Sequence, residues 1–264
     1  MLLAQLSDLH IEAHAGADGF IDTAACLRAA VAHLNALAPP PDAVLITGDL
    51  VNTGSDADYA LLRELLAPLA MPVYLQPGNH DDRAALCRAF PDHDYLPAPG
   101  EFIQYTVETL PVRLVVLDTL EPGKVGGALC QQRLDWLAAR LAEQPRRPTL
   151  VALHHPPFDT GLAAMDRIGL GPGRTEFAEL IAGHPQVERV LCGHLHRHIQ
   201  RRWQGTLAGT CPSVAHALLL DLGDQGRLGS ILEPPAYQLH QWREAGGLVS
   251  YLDHIGCFGT RLIA

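Results

Sequence analysis

The feature of this sequence that most limits its fold is a set of five short polar clusters, each of which directly follows an apolar run. The runs are short and mostly rich in leucine and β-branched residues, which is typical of strands buried on both faces of a sheet. Residues at the carboxyl ends of strands in an open α/β sheet meet in one crevice, so we expect the clusters to converge. They are Asp8-Leu9-His10, Gly48-Asp49, Gly78-Asn79-His80-Asp81, His154-His155 and Gly193-His194-Leu195-His196.

Strand-like runs alternate with amphipathic helical patterns through the first three quarters of the chain. In residues 22–37, Leu27, Val31 and Leu34 fall on one helical face, as packing against a sheet requires. This alternation is typical of an α/β fold. The predicted strands are 2–6, 43–47, 72–75, 114–117, 150–153 and 190–192, and the predicted helices are 22–37, 55–66, 131–141 and 175–181.

The pattern changes after Trp203, where strand-like runs follow one another with turn residues between them. They lie at 206–209, 217–222, 237–242 and 248–252. We expect residues 1–264 to form one domain, in which residues from about 204 to 264 complete a second sheet. Because Trp242 and its aromatic neighbours suit an interface, we also expect a homo-oligomer, most simply a dimer. The alternative is that the last two runs only cover the edge of their own sheet.

Overall composition excludes several classes of partner. The formal net charge is −10, and the sequence lacks the dense Lys and Arg runs that a general nucleic-acid surface needs. No stretch approaches the roughly 20 apolar residues of a membrane span, and the N-terminus does not resemble a signal peptide. The six cysteines form no CxxC pair and suit a reducing compartment. We therefore expect a cytoplasmic protein that binds neither membranes nor nucleic acid.

The side chains in the clusters are those that bind divalent metal ions. Asp, Asn and His together suit hard to borderline cations, and this set is large enough to hold two. Two adjacent ions are a device for attack on phosphorus, because they activate water and stabilise charge on the phosphoryl group. Asp8 and His10 are two residues apart, so both would point the same way in an extended strand end. The carboxylate of Asp49 has two oxygens with which to bridge two cations.

Each cluster has a plainer explanation when it is taken alone. An isolated Gly-Asp pair is common in turns, and Pro77-Gly78-Asn79 resembles a turn before a helix that starts near Asp82. Adjacent residues point opposite ways, so we expect only His154 to be a ligand and His155 to have a supporting role. Cys192 lies among the clusters, but the neighbouring imidazoles suffice and we expect it not to bind metal. The joint occurrence of five clusters at predicted strand ends favours a metal centre.

The order of the clusters resembles the calcineurin-like metallophosphoesterase superfamily, whose pattern is D-x-H, G-D, G-N-H-[DE], H and G-H-x-H. Every element is present, and the stretches Gly48-Asp49-Leu50-Val51-Asn52, His154-His155-Pro156-Pro157 and Val214-Ala215-His216 add to the likeness. Within the superfamily, the chain is similar to bacterial class III cyclic-nucleotide phosphodiesterases and the related glycerophosphodiesterases. The resemblance implies a four-layer α/β-β/α sandwich with two packed mixed sheets between flanking helices.

The same resemblance implies a dinuclear centre that takes iron, manganese, zinc or cobalt. It places His80 on the substrate side of the metals and His216 near the phosphate. Catalytic roles fall to Asp49, Asn79 and His80, and substrate contacts to Asn79, His80, His194 and His216. Carried over position by position, the first ion takes Asp8, His10, Asp49 and His196, and the second takes Asn79, His154, His194 and the shared Asp49.

We therefore expect a phosphodiesterase that hydrolyses small phosphodiesters by attack of a metal-bound hydroxide. The expected substrates are 3′,5′-cyclic nucleotides such as cAMP, or glycerophosphodiesters. The alternative within the superfamily is a phosphomonoesterase or a pyrophosphohydrolase of nucleotide conjugates. A non-catalytic binding scaffold is disfavoured because every ligand position of the pattern is filled, and a nuclease is disfavoured by the acidic charge.

Overall fold

Two mixed β-sheets pack against each other, and helices cover their outer faces. The computed structural model describes residues 1–14, 20–98, 100–223 and 226–259. In chain order the elements are β1 (Leu2–Leu6), α1 (Thr23–Ala36), β2 (Ala43–Thr47), α2 (Asp56–Leu66), β3 (Val73–Gln76), α3 (Arg83–Ala89), β4 (Tyr105–Val107), β5 (Arg113–Leu117), α4 (Gln131–Glu143), β6 (Thr149–Leu153), α5 (Ala163–Asp166), α6 (Arg174–Ala182), β7 (Val187–Cys192), β8 (Ile199–Trp203), β9 (Thr206–Thr210), β10 (Ala217–Leu218), β11 (Ser230–Ile231), β12 (Ala236–Arg243) and β13 (Gly247–His254).

The five-stranded sheet has the order β13-β12-β1-β2-β3, and the six-stranded sheet has the order β4-β5-β6-β7-β9-β8. In the first, β1, β2 and β3 are parallel, and β12 and β13 extend the sheet antiparallel on the other side of β1. In the second, β5, β6, β7 and β9 are parallel and the two edge strands are antiparallel. The carboxyl ends of the parallel strands carry all five polar clusters.

The packing of the core explains why polar and apolar residues do not alternate in these strands. In β2 and β6 every residue is buried, because each strand is covered on both faces. Along β5, Leu114 and Val116 belong to the core shared with the five-stranded sheet, whereas Val115 and Leu117 pack with the leucines of α4. Successive residues of a strand point to opposite faces, so β5 serves both cores at once. The predicted four-layer α/β sandwich is confirmed.

The helices begin where the sequence provides a cap. The Ser55 hydroxyl accepts a hydrogen bond from the Asp58 backbone N–H at 3.1 Å, at the start of α2. The Asp22 carboxylate does the same for the Ala25 N–H at 2.8 Å, at the start of α1. Such caps satisfy backbone donors that a helix leaves unpaired. Among the described residues, no helix has both the length and the apolar character needed to cross a bilayer.

The tail of the chain differs from the prediction that it completes the second sheet. Only β9 joins the six-stranded sheet; β12 pairs with β1, so the β12–β13 hairpin belongs to the five-stranded sheet. The apolar pattern predicts that strands exist, but it does not select which free edge they cover. The predicted strand at 217–222 is reduced to the two residues of β10.

The expectation that Trp242 and its aromatic neighbours are exposed on this hairpin is also partly wrong. Tyr237 is fully buried, and Trp242 is partly buried against the core. Trp242 lies opposite Leu248 in the hairpin, and that leucine packs on the same core, so this pair faces inward. The exposed apolar residues of the hairpin are instead Val249, Tyr251 and Leu252 on the edge strand β13.

Candidate metal centre

The predicted site residues come from both sheets. Asp8 and His10 follow β1, Asp49 follows β2, and Asn79 and His80 follow β3, all in the five-stranded sheet. His154 follows β6 of the six-stranded sheet, and His194 and His196 follow β7. Nearly all of these side chains are buried where the strand ends of the two sheets meet. The predicted convergence of the clusters is therefore confirmed.

The local backbone differs from the extended strand end that the sequence suggested for Asp8 and His10. These two residues have φ of 53° and 47°, and Asp49, His194 and His196 have φ of 49°, 72° and 51°. Non-glycine residues rarely adopt this left-handed conformation, and it is a recurrent form of strain at functional sites. The side chains after β1, β2 and β7 thus converge because the chain turns sharply at these strand ends, and not because a strand alternates.

Two glycines allow the strand ends to approach one another. A Cβ on Gly78 would lie 2.2 Å from Asp49 Oδ1. A Cβ on Gly193 would lie 2.2 Å from Ser7 Oγ and 2.5 Å from the Thr47 carbonyl oxygen. All three distances are far inside van der Waals contact, so any larger residue must displace its neighbours. The glycines of the G-N-H-D and G-H-x-H motifs are therefore required by the packing of the centre.

The first of two clusters of potential ligand atoms contains two imidazoles and two carboxylates. His10 Nε2 lies 3.1 Å from His196 Nε2 and 3.7 Å from Asp49 Oδ2. His196 Nε2 lies 3.5 Å from Asp8 Oδ1. One potential ligand atom from each of Asp8, His10, Asp49 and His196 lies within 4.8 Å of the others.

The second cluster shares Asp49 with the first. His154 Nε2 lies 3.4 Å from Asp49 Oδ2 and 3.2 Å from Asn79 Oδ1. The same carboxylate oxygen therefore approaches one imidazole of each cluster. His194 Nε2 completes the group; it is buried and has no hydrogen-bond partner among the described residues. An orphaned nitrogen of this kind is costly unless something binds it.

His155 lies close enough to His154 and His194 to be grouped with them as a potential ligand. Its hydrogen bonds argue otherwise. His155 Nδ1 lies 2.8 Å from the Thr119 hydroxyl, and Nε2 lies 3.2 Å from the Val125 carbonyl oxygen. Both ring nitrogens are thus already engaged by the protein, so His155 suits a supporting role and Asn79 is the better fourth donor.

The tautomers of the neighbouring imidazoles favour cation binding. His154 Nδ1 donates to the Thr47 carbonyl at 2.7 Å, so Nε2 is the nitrogen that faces the clusters and can exchange its proton for a cation. His196 Nδ1 donates to the His216 carbonyl at 3.1 Å and leaves Nε2 as an acceptor. His196 Nε2 therefore faces His10 Nε2 with an available lone pair. Imidazole lone pairs, carboxylates and an amide oxygen converging on two points fit two divalent ions of the transition series.

The electrostatics lead to the same conclusion. Burial, followed by the nearby Asp49 charge, raises the pKa of Asp8 to about 7. Burial lowers the pKa of His10 to about 4 and that of His194 to about 3, so both rings are neutral at pH 7. For His154, burial is the largest single effect and lowers the pKa, but the Asp49 charge, the contact with the Asp49 side chain, the Asp8 charge and the Thr47 carbonyl together raise it to about 9. The buried carboxylates thus keep a proton on His154 at neutral pH, and a cation that replaces this proton would compensate the same charge.

The remaining predicted residues line the cleft above the clusters. His80 donates its backbone N–H to Asp49 Oδ1 at 2.9 Å, and its Nδ1 lies 2.8 Å from the Asn52 carbonyl oxygen. The His216 ring centroid lies 4.6 Å from that of His196. The cleft has a volume of about 660 Å³ and is lined by both of these histidines.

Asp81 has a structural role that the sequence argument did not assign to it. The Asp81 carboxylate accepts hydrogen bonds from the Gly78 N–H at 2.8 Å, the Leu50 N–H at 3.1 Å and the Tyr59 hydroxyl at 2.8 Å. It therefore ties the loop after β2 to the loop after β3. Its position in the G-N-H-D motif was the available signal, although the motif alone does not separate a structural carboxylate from a ligand.

Known structures share this architecture. A dimetal phosphatase from Danio rerio superposes with a TM-score of 0.63, over 97% of this chain and 99% of its own, at 16% identity. A purple acid phosphatase from yellow lupin gives a TM-score of 0.63 over all of this chain and 57% of its own, at 15% identity. The fold is thus that of the metallo-dependent phosphatases.

Sequence comparison defines the family. The chain belongs to the calcineurin-like phosphoesterase family, whose model matches residues 1–198. It is 35% identical to the probable glycerophosphodiester phosphodiesterase GpdQ of Arcobacter nitrofigilis, over 98% of this chain and 94% of that protein. It is 37% identical to the cAMP phosphodiesterase CpdA of Pseudomonas aeruginosa, over 76% of this chain and 72% of that protein. The family expected from the motifs is confirmed.

Proposed function

We propose that this protein is a dinuclear-metal phosphodiesterase that hydrolyses small phosphodiesters. The observation that carries the proposal is the Asp49 carboxylate, one oxygen of which lies 3.7 Å from His10 Nε2 and 3.4 Å from His154 Nε2. A single oxygen shared between two ligand clusters suits two ions side by side. Relatives named as phosphodiesterases, which align over most of this chain, support the same reaction class.

The two clusters support one set of ligands for each ion. Asp8, His10, Asp49 and His196 would hold the first ion, and Asn79, His154, His194 and Asp49 the second. We propose iron, manganese, zinc or cobalt, since this mixture of imidazole and oxygen donors suits all four. When bound, the ions would supply a nucleophilic water at neutral pH and offset the charge of the phosphate.

The protein's own groups would orient the diester and assist the leaving alcohol. Asn79 and His80 lie at the end of β3 and line the cleft beside Asp49. Because His80 Nδ1 is engaged by the Asn52 carbonyl, Nε2 is the nitrogen left for substrate. Because Nδ1 donates its proton to that carbonyl, Nε2 carries a proton only in the imidazolium form. In that form the ring would pass the Nε2 proton to the leaving oxygen, and we propose His80 as the general acid on this basis. His194 and His216 border the same space and would contact the phosphate.

The lining of the cleft supports a diester over a monoester. Among the described lining residues there is no Lys or Arg, whereas Glu12 and Asp22 add negative charge at the mouth. A monoester carries one more negative charge than a diester and would lack a cationic side chain to meet it. Phosphomonoesters and pyrophosphates of nucleotide conjugates are therefore the less favoured substrates.

Two unlike walls would receive the two alcohol groups of a diester. One wall, near His80, includes Asn52, whose carbonyl oxygen lies 2.8 Å from His80 Nδ1, and offers polar groups. The other, near His194, includes Met165 and Ile168, which pack together beside Leu195. Glycerol or ribose hydroxyls suit the first wall. Both glycerophosphodiesters and 3′,5′-cyclic nucleotides meet this description.

The decisive experiment is a substrate panel with defined metals. The purified protein, reconstituted with Mn²⁺, Zn²⁺, Co²⁺ or Fe²⁺, would be assayed with cAMP, a glycerophosphodiester and bis(4-nitrophenyl) phosphate. The matched monoesters AMP, glycerol 3-phosphate and 4-nitrophenyl phosphate serve as controls. We expect kcat/KM to be higher for each diester than for its monoester; the reverse order would refute the proposal in favour of a monoesterase.

We also propose that the chain acts as one domain and assembles as a homo-oligomer. One continuous core contains residues from Leu3 to Ile255, which supports the single domain.

Edge strand β13 exposes Val249, Tyr251 and Leu252 by 40%, 48% and 43%, which supports pairing with a second copy. Light scattering should give a mass above 28.5 kDa. Tyr251→Ser should reduce this mass, whereas the control Leu232→Ser, at an exposed site elsewhere, should not. A monomeric wild-type protein would contradict the assembly.

The cysteines support a cytoplasmic location for this enzyme. All six are free, and Cys192 and Cys211 are buried beside the centre. Free thiols of this number are typical of proteins that work in a reducing compartment. Fractionation of cells that express the protein would test the location, and recovery outside the cytoplasm would contradict it.

A further inference from the structure

The candidate metal centre is divided between the two sheets. Asp8, His10, Asp49 and Asn79 extend from the five-stranded sheet, whereas the other three proposed ligands extend from the six-stranded sheet. Each proposed ion therefore takes ligands from both sheets. The distances between those ligands depend on how firmly the two sheets are held in place beneath them, so contacts that cross between the sheets at this point have a direct effect on the centre.

Gln5 makes such a contact. It lies on β1 and is fully buried between the sheets. Its Nε2 donates to the Cys192 carbonyl oxygen at 3.1 Å, across to the six-stranded sheet, and to Thr47 Oγ1 at 3.0 Å within its own sheet. Its Oε1 lies 3.0 Å from His240 Nε2, which donates to it. Both amide hydrogens and the amide oxygen of Gln5 therefore have partners, in a place where an unpaired group would be costly.

The contact lies directly beneath the ligands of the first cluster. Gln5 is three residues before Asp8, and Cys192 is the last residue of β7, two before His194. Above this bridge, the His194 backbone N–H donates to both oxygens of Asp8 at 3.0 and 3.1 Å. The strand ends that supply Asp8 and His196 are thus joined first by Gln5 and then by the Asp8 carboxylate itself.

A second branch reaches the other cluster. Thr47, whose hydroxyl accepts from Gln5, uses its carbonyl oxygen to accept from His154 Nδ1 at 2.7 Å. That bond fixes which nitrogen of His154 faces the cleft. Gln5 is therefore one hydrogen bond from the residue that orients His154, and it touches the strand end from which His194 and His196 extend.

We propose that Gln5 is a positioning residue for the metal centre, holding the two sheets at the separation and register that bring the two half-sets of ligands together. The inference rests on the proposed dinuclear function. Groups that orient metal ligands from behind typically account for about 10–100-fold in metal affinity. Loss of the Gln5 amide should weaken metal binding by a factor of this size.

Gln238 provides a matched control, because it is the direct neighbour of Gln5 across the β1–β12 ladder. It is also buried, and its Nε2 donates to the Thr210 carbonyl oxygen of β9 in the other sheet at 2.8 Å. The contact has the same chemistry as that of Gln5. However, the strands that it joins, β12 and β9, carry no proposed metal ligand at their ends; the segment after β9 reaches the centre through Ser213 and the His216 carbonyl, which lie three and six residues beyond the contact.

The experiment compares wild type, Gln5→Met and Gln238→Met. The dissociation constants for Mn²⁺ and Zn²⁺ are measured by competition with a chelating dye, and the free energy of unfolding is measured in urea without metal. We expect both variants to lose stability, but only Gln5→Met to bind metal about 10–100-fold more weakly. Wild-type metal affinity in Gln5→Met, or an equal loss in Gln238→Met, would overturn the inference and leave Gln5 as a packing residue.

Two further results keep the test decisive. If Gln5→Met does not fold, Gln5→Asn takes its place, because its amide is one methylene too short to reach Cys192 while the site stays polar. Weaker metal binding by Gln5→Asn would again support the inference, and wild-type affinity would again overturn it. If the wild-type protein binds no metal ion, the proposed function fails and this inference fails with it. Metal binding by wild type together with unchanged binding by the Gln5 variant refutes the positioning role alone.

Discussion

His240 should make the stability of this protein depend on pH, for a reason independent of metal binding. The ring is fully buried on β12, where Nε2 donates to Gln5 Oε1 at 3.0 Å and Nδ1 lies 2.6 Å from the Ser250 hydroxyl. The Arg189 guanidinium donates to the same hydroxyl, so the hydroxyl proton is free to point at Nδ1. The neutral ring is therefore fully satisfied, and a second proton would displace the serine donor.

The magnitude follows from the difference between the folded and unfolded states. Burial, followed by the charges of Arg189 and His198, lowers the pKa of His240 from 6.5 to about 3. In the unfolded chain the imidazole gains its proton as pH falls through 6.5, whereas the folded protein does not follow until about pH 3. Unfolding is thus favoured as pH falls. Between pH 7.5 and 5.0, linkage gives a loss of about 2 kcal/mol in the free energy of unfolding from this one residue.

The assay compares wild type with His240→Gln, in which the new amide cannot titrate in this range. Urea unfolding, followed by tryptophan fluorescence in the presence of a chelator, gives the free energy of unfolding at both pH values. Other buried histidines make the stability of wild type and variant depend on pH to the same extent. The informative quantity is therefore the difference between the two proteins in the free energy of unfolding that each loses on acidification. The variant should lose about 2 kcal/mol less than wild type between pH 7.5 and 5.0.

The control is His254→Gln, which removes an exposed imidazole from the adjacent strand β13 and should behave as wild type. If His240→Gln and wild type lose the same free energy of unfolding on acidification, the reasoning is refuted. In that case the folded protein accepts the second proton on His240 without cost, and the hydrogen bonds to Gln5 and Ser250 do not select the neutral ring.

Three further predictions concern the centre. Asp49→Ala should reduce bound metal from two ions to none or nearly none, because both clusters share this carboxylate; elemental analysis that finds one ion retained would contradict the bridging role. Gly78→Ala should weaken metal binding, because its new Cβ would fall 2.2 Å from Asp49 Oδ1. Gly205→Ala, at φ of 82° with no atom within 4 Å of the new Cβ, should cost about 1 kcal/mol of stability and leave metal binding intact. Equal metal affinities of the two variants in calorimetric titration would refute the steric argument. His80→Ala should keep both ions but lose about 10²–10⁴-fold in kcat for alkyl diesters, and less for nitrophenyl diesters that need no acid; steady-state kinetics with equal losses on both substrates would exclude general acid catalysis.

The sequence predicted the parts of the fold that depend on local pattern. Apolar runs such as Ala43–Thr47 gave strands because a doubly covered strand has few polar residues. The site residues could be predicted because each follows such a run. The partners of the strands could not, since the β12–β13 hairpin could have covered any free edge, and only packing selects the edge of β1. Strand β8 was missed because its exposed Arg201 and Arg202 resemble a solvated loop.

The supports of the centre were harder to predict than its ligands. Gln5 lies in a run that would otherwise be apolar, and a polar residue there resembles the solvent face of a half-exposed strand. Its burial and its donation to Cys192 depend on the second sheet, which is formed much later in the chain. The left-handed conformations of Asp8 and His10 were equally hidden, because residue type predicts such φ values only for glycine and, more weakly, for Asn and Asp.

Those left-handed residues have a consequence for how the family evolves. Each non-glycine residue held at positive φ costs about 1–2 kcal/mol, and five of the proposed ligands are held in this way. Folded proteins retain only about 5–15 kcal/mol of net stability, so the centre consumes a large share of it. Glycine at any of these positions would relieve the strain while removing a ligand. A lineage released from selection for activity would therefore recover about 1–2 kcal/mol of backbone strain at each position that becomes glycine, which offsets part of the cost of losing the buried side chain.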